Sequence, residues 1–286
     1  QRPMCLRDSP YAGSYVMAPL AINLAGRDDQ KKQWLPRIAG GECVIGVGLS
    51  EYVGAREDAG IEFSNGKLSG RCLFLIDGKN ADAYLLANKS GELFLVEASD
   101  PGIEVIELTT VDKTRTSIEL ILKNVDADLL SGSSDKSVIE KVLDAGRIML
   151  AADTVGAAQV MLDKSVAYSL ERKQFGRLIG SFQAVKHMCA EMAAELEPCH
   201  SMIWHAAHCF DNVPEEARLM ACQTKAHISE VGQQVSKTAT EVHGGMGFTD
   251  ELGLHYWFKR IGLNKQLLGS PELIREEAGS LQGFDQ

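Results

Sequence analysis

The sequence predicts an α+β protein: a helical piece, then an antiparallel β-barrel or sandwich, then a helical bundle. Three observations predict it. Residues 11–40 carry apolar side chains at helical spacing. Residues 42 to about 130 are a succession of short β-rich runs separated by turns. From about Ser137 the pattern turns helical and stays so.

In the first piece, residues 20–25 run apolar into Gly26, a residue suited to a helix C-cap. A second short helix opens on Asp28 and Asp29, whose charges complement the helix dipole. The β region begins with residues 43–49. Residues 61–64 and 67–70 flank Asn65-Gly66, the dipeptide of a two-residue hairpin. Further strands are expected at 83–87, 93–97, 102–107 and 117–122, with Phe63, Phe74 and Tyr84 in the core. Residues 138–171 place Val142, Ile148, Leu150, Ala151, Val155, Ala158, Met161 and Leu162 at three- and four-residue steps. Helices follow over 182–210, 214–239 and 252–268, with Pro214 in a first turn, where its missing N–H costs nothing. Long helices with short connections make a four-helix bundle. The domains expected are residues 1–41, a remnant of a helical domain, 42–135, the β-domain, and 136–286, the bundle.

Hydrophobic residues make up 45% of the 286 and charged residues 24%, an ordinary globular balance. The net charge of −10 argues against a nucleic-acid partner, which needs a basic surface. No apolar run is long enough for a membrane span. Seven cysteines at scattered spacings suit reduced thiols in the cytoplasm. The chain starts at Gln1 without an initiator Met or a signal peptide, and a fragment is expected.

The residues with chemistry in them lie in the bundle. They are the run Glu171-Arg172-Lys173-Gln174-Phe175-Gly176, then Phe182-Gln183, and later His243-Gly244-Gly245-Met246-Gly247-Phe248. An arginine offers phosphate a planar, permanently charged fork. Paired glycines let a backbone approach a ligand with no Cβ in the way. Together they suit a dinucleotide pyrophosphate. Cys199, His200, His205, His208 and Cys209 lack the converging pairs of a zinc site and are expected to be ordinary helix residues, so no metal is expected. Glu215, Glu216, Glu276 and Glu277 are expected to form a solvated face.

The motifs and their order resemble the C-terminal domain of the flavin-dependent acyl-CoA dehydrogenases. The likeness covers nearly the whole chain, less most of the family's N-terminal helical domain. It implies FAD shared between subunits, one holding the flavin ring in its β-domain and the neighbour's bundle reaching the ADP half. The implied reaching residues are Arg172, Phe175, Gln183, Gly244 and Gly245. Glu241 replaces the family's usual glutamine beside the phosphates or ribose. A carboxylate there repels phosphate unless it accepts a hydrogen bond from a ribose hydroxyl.

The family's chemical residues do not carry over. Its members remove the α-proton of an acyl-CoA with a carboxylate while the flavin takes the β-hydride. The two positions known to hold that base are Leu268 and Gly146 here, with Arg147 matching a family arginine beside the latter. The glycine and serine near the pyrophosphate become Ala55 and Arg56, and the threonine that binds flavin N5 becomes Ile76. Residues 267–271 read Leu-Leu-Gly-Ser-Pro, which resembles the smaller subunits of bacterial heterotetrameric steroid-side-chain dehydrogenases. The resemblance therefore implies a non-catalytic subunit. It would complete the FAD site of a paralogous catalytic partner acting on an acyl-CoA, with an electron-transfer flavoprotein as acceptor. Two alternatives stay open: a self-sufficient homotetramer with its base moved to Glu51 or Glu241, and a scaffold that binds acyl-CoA or protein without redox chemistry.

Overall fold

The computed structural model describes residues 11–54 and 59–284. The chain is α+β and divides into two compact units, residues 1–146 and 147–286, with the division inside one long helix.

The first unit opens with a π-helical segment, Tyr11–Met17, that runs into α1 (Ala18–Ala25), followed by α2 (Asp28–Ala39). The glycine between α1 and α2 stands at the C-cap of α1, as expected, but without the left-handed conformation common there. Gly26 is extended, at φ −72° and ψ 147°. It is required for another reason: a Cβ there would lie 2.5 Å from the Ile22 carbonyl. Arg27 closes the start of α2 by donating its backbone N–H to the Gln30 side-chain oxygen at 2.8 Å.

Two four-stranded sheets follow. One has the order β1 (Ile45–Gly48), β4 (Ala83–Ala87), β5 (Leu93–Glu97), β8 (Asp128–Leu129). The other has the order β2 (Gly60–Ser64), β3 (Lys67–Leu75), β7 (Ser117–Asp126), β6 (Ile103–Leu108). Asn65 and Gly66 both take positive φ and close the β2–β3 hairpin, as the dipeptide requires. The antiparallel expectation fails for one pair, because β1 and β4 run parallel. Residues of both sheets, among them Leu68, Leu75, Leu86, Phe94, Val96, Ile118 and Leu120, share one buried core, so the unit is a sandwich.

Tyr84 is in that core, but Phe63 and Phe74 are not. A register shift between Cys72 and Leu75 puts Phe74 at φ 51° and turns its ring outward. Phe63 lies near the end of its strand, exposed, with its ring tilted against Phe94 at 4.7 Å.

The second unit is the bundle. It takes α3 (Lys136–Glu171) from residue 147, then α4 (Gln183–Asn212), α5 (Pro214–His243), α6 (Leu254–Gln266) and a fifth helix, α7 (Pro271–Leu281). Its core interleaves Val155, Ala158 and Met161 of α3 with Met192 and Leu196 of α4, Ile228 and Val235 of α5, and Ile261 of α6. Small residues let these helices approach closely: at Gly232 a Cβ would stand 2.5 Å from the Thr154 methyl. Several buried polar groups are paired across the helices. Asp153 accepts from Arg260 Nε at 2.8 Å and Asn264 Nδ2 at 2.6 Å. Lys225 donates to the Asn264 carbonyl at 2.7 Å and to Ser229 Oγ at 3.1 Å, satisfying the end of α6. Burial, with the nearby charges of Arg147 and Lys265, lowers its ammonium to about 7.

The six described cysteines are free thiols. Among the described residues no helix is long and apolar enough to cross a membrane.

Candidate functional site

The two sequence motifs meet through the residues that precede them. Tyr168 lies on α3 one turn before Arg172, whose N–H it accepts at 2.9 Å. His243 ends α5, directly before Gly244. The two rings stack, with centroids 4.6 Å apart and planes at 25°. The ends of α3 and α5, each carrying a phosphate-suited motif, are thereby held side by side.

After Arg172 the chain makes a two-strand ribbon, β9 (Lys173–Gln174) and β10 (Arg177–Leu178). Its turn is Phe175 at φ 53° and Gly176 at φ 77°. A phenylalanine in the left-handed region is uncommon and strained. The result is a ring that is 92% exposed. The ribbon folds back on α3. Ile179 N–H donates to the Arg172 carbonyl at 2.8 Å, and a Cβ on Gly180 would come within 2.8 Å of the Ser169 carbonyl. Phe182 forms the floor, with the Phe175 ring edge-on at 6.1 Å and the Arg177 guanidinium over its face at 3.9 Å. Arg172 and Gln183 are exposed on either side of this knuckle.

The second motif is a 3-10 turn, Gly244–Phe248. Gly244 sits at φ 58° and ψ −139°, a conformation that L side chains avoid, and nothing lies within 4 Å of a Cβ built on Gly244 or Gly245. Gly247 differs: a Cβ there would stand 2.7 Å from the Thr240 carbonyl oxygen, so the close approach requires glycine. His243 donates through Nδ1 to the Ala239 carbonyl at 2.7 Å. Burial holds its imidazole below its ordinary range, against the pull of that hydrogen bond, so the ring stacked on Tyr168 is neutral at pH 7. Glu241 is exposed on the last turn of α5.

Open backbone at paired glycines, an exposed arginine and exposed aromatic rings fit the phosphate and ribose half of a dinucleotide. Phe182 stood in the Phe182-Gln183 motif, whereas Tyr168 and Arg177 were not singled out from sequence. A weak signal existed for Tyr168, which is one turn from Arg172.

Among the described residues, those expected near the flavin ring have their polar groups engaged within the fold. Ile76 is buried, and its N–H and carbonyl are both spent on Val47 at 2.8 Å. Ala55 and Arg56 lie outside the described residues. Glu51 is 5% exposed; its carboxylate accepts Leu73 N–H at 2.9 Å and faces Cys72 Sγ at 3.2 Å, which occupies both oxygens.

Leu268 is buried at φ 60°, and its carbonyl accepts Arg147 Nε at 3.1 Å. Arg147, 1% exposed, also forks onto Glu277 at 3.0 and 2.8 Å. Glu277 is therefore not part of a solvated face. Burial works to raise its carboxyl, but Arg147 and Arg218 hold it below the ordinary carboxylate range. Around Leu268 the machinery is structural: an arginine clamp on a backbone carbonyl, with no carboxylate on the residue itself.

Residues 136–279 match the family model "Acyl-CoA dehydrogenase, C-terminal domain". The caffeyl-CoA reductase-Etf complex subunit CarC of Acetobacterium woodii is 28% identical over 274 residues, covering 86% of this chain and 71% of its own. The acyl-CoA dehydrogenase IpdE2 of Mycolicibacterium smegmatis is 36% identical over 137 residues, 47% of this chain and 42% of its own. Among solved structures, a variant of the Tcur3481-Tcur3483 steroid ACAD superposes with a TM-score of 0.83 at 27% identity, covering 94% of this chain and 75% of that one. The chain belongs to the acyl-CoA dehydrogenase family.

Proposed function

We propose that this member of the acyl-CoA dehydrogenase family is the non-catalytic subunit of a heteromeric, FAD-dependent enzyme. It lends the ADP-side contacts to a paralogous subunit that supplies the base. One observation carries the reading: the two positions where the family places its carboxylate hold Leu268 and Gly146, and Leu268 is built into a buried clamp with Arg147. An aliphatic side chain has no lone pair for the α-proton. The likeness to the Tcur3481-Tcur3483 steroid ACAD supports a heteromeric enzyme acting on a bulky acyl-CoA, such as a steroid side-chain thioester. The likeness to a subunit of a reductase-Etf complex supports an electron-transfer flavoprotein as acceptor.

The bound flavin would supply the hydride acceptor. This chain's part is binding. Arg172 would place its fork on pyrophosphate oxygens. Gly244 and Gly245 would admit the phosphates to the backbone. Phe175 and Gln183 would lie along the nucleotide, and Glu241 would accept from a ribose hydroxyl. The neutral His243 adds no charge of its own beside them.

Co-expression with the paralogous dehydrogenase encoded beside it tests the reading. A yellow complex that dehydrogenates acyl-CoA, from a lone chain that is colourless and inactive, is expected. A lone chain that retains FAD and turns over would overturn it.

A further inference from the structure

The corner where α4 turns into α5 gathers side chains that the flavin site does not use. His205 and Cys209 are one helical turn apart on the last turns of α4. A single residue, Val213, joins α4 to α5, and Glu216 N–H donates to its carbonyl at 3.0 Å. That tight turn brings Glu216, in the first turn of α5, back over Cys209. The ligand atoms of His205, Cys209 and Glu216 all lie within 4.8 Å of one another. Cys209 Sγ is 3.7 Å from His205 Nε2. His208, which shares the sequence run, turns away to Asn212 at 3.3 Å.

We propose that His205, Cys209 and Glu216 form a binding site for a zinc-class divalent cation, closing the α4–α5 corner. The donor set of one imidazole, one thiolate and one carboxylate suits a borderline-soft ion; calcium and magnesium want oxygen alone. In a tetrahedral zinc site with Zn–S of about 2.3 Å and Zn–N or Zn–O of about 2.0 Å, neighbouring donor atoms stand roughly 3.3–3.5 Å apart. The sulfur–nitrogen pair is already near that spacing. His205 and Glu216 are exposed and can rotate the remainder, whereas Cys209 is fully buried and fixes the apex. Three protein ligands leave a fourth position open to water.

Glu216 and Glu215 place negative charge beside Cys209, which suits a cation. On binding, the Cys209 S–H bond breaks, the proton goes to solvent, and the sulfur pair binds the metal. The rival account is a simple S–H donor to His205, with Glu216 incidental.

Cobalt titration of the full, thiol-reduced chain separates them. The expected result is a near-ultraviolet thiolate-to-cobalt charge-transfer band that saturates at a single ion per chain and is displaced by Zn2+. Cys209→Ser should abolish the band. Glu216→Gln and His205→Ala, both at exposed positions, should weaken binding about tenfold or more while the apo chain melts as the parent does. Cys189→Ser, at another thiol of the same helix, should leave the band intact. No band in the parent chain, or full-affinity binding in both Glu216→Gln and His205→Ala, overturns the proposal.

Discussion

The ring of Tyr168 stacks on the ring of His243 at 4.6 Å, and this contact sets the arginine motif at the end of α3 beside the glycine motif at the end of α5. Residues far apart in sequence become one surface through two side chains that bind nothing themselves. Replacing Tyr168 by Leu keeps apolar bulk and removes the stack. The expected loss is about 0.5–1.5 kcal/mol of stability, read by urea unfolding. The co-expressed complex should also lose FAD faster on gel filtration. An unchanged unfolding midpoint would show that the stack positions nothing.

His243 links the same surface to pH. Its folded pKa is depressed by burial, so below its ordinary value of 6.5 the unfolded chain takes up a proton that the folded chain refuses. Stability is therefore full above that value and falls as pH drops through it. Denaturation of the parent and of His243→Gln should converge on the acid side, the variant losing less between about pH 7 and pH 5. Parallel pH curves would rule this out.

Arg147 is buried, so removing its carboxylate leaves a charge without its partner. Glu277→Leu is expected to cost about 3–5 kcal/mol, the range for breaking a buried pair. The partial exposure of Glu277, 24%, and the remaining bond to Leu268 place the effect at the lower end. Chemical denaturation reads it. A loss below about 1 kcal/mol would mean the clamp behaves as a surface pair.

Arg172 should show the opposite profile. It is exposed and its backbone alone is tied to the fold, so Arg172→Ala should leave the melting of the lone chain unchanged. In the co-expressed complex the same change should weaken FAD binding by roughly tenfold, the order expected for a charge-assisted phosphate contact. Equal FAD occupancy in parent and variant would remove Arg172 from the cofactor site.

Much of the architecture was legible in local pattern. Asn65-Gly66 closes its hairpin because only that backbone chemistry tolerates two positive φ values in succession. The α3 periodicity survived because a helix's buried stripe is a property of its own sequence. The illegible parts all depended on a second element. The parallel β1–β4 pair and the outward turn of Phe74 at a bulge follow from pairing, which no local run encodes, whereas the extra helix α7 had local signals in the Ser270 N-cap and Pro271. Glu277 read as solvent-facing until Arg147 was found beneath it.

The sequence by itself determined which residue types were available: an arginine and paired glycines suited to phosphate, and Leu268 and Gly146 at the positions that the proposed reading assigns to a base. Those are facts of composition at a position, and no fold can alter them. Tertiary structure decided which residues meet. It laid Tyr168 on His243, clamped Leu268 with Arg147, and swung Glu216 over Cys209. Each of these depends on helices crossing at a set distance, and that distance is fixed only when the apolar stripes of several helices are buried against one another.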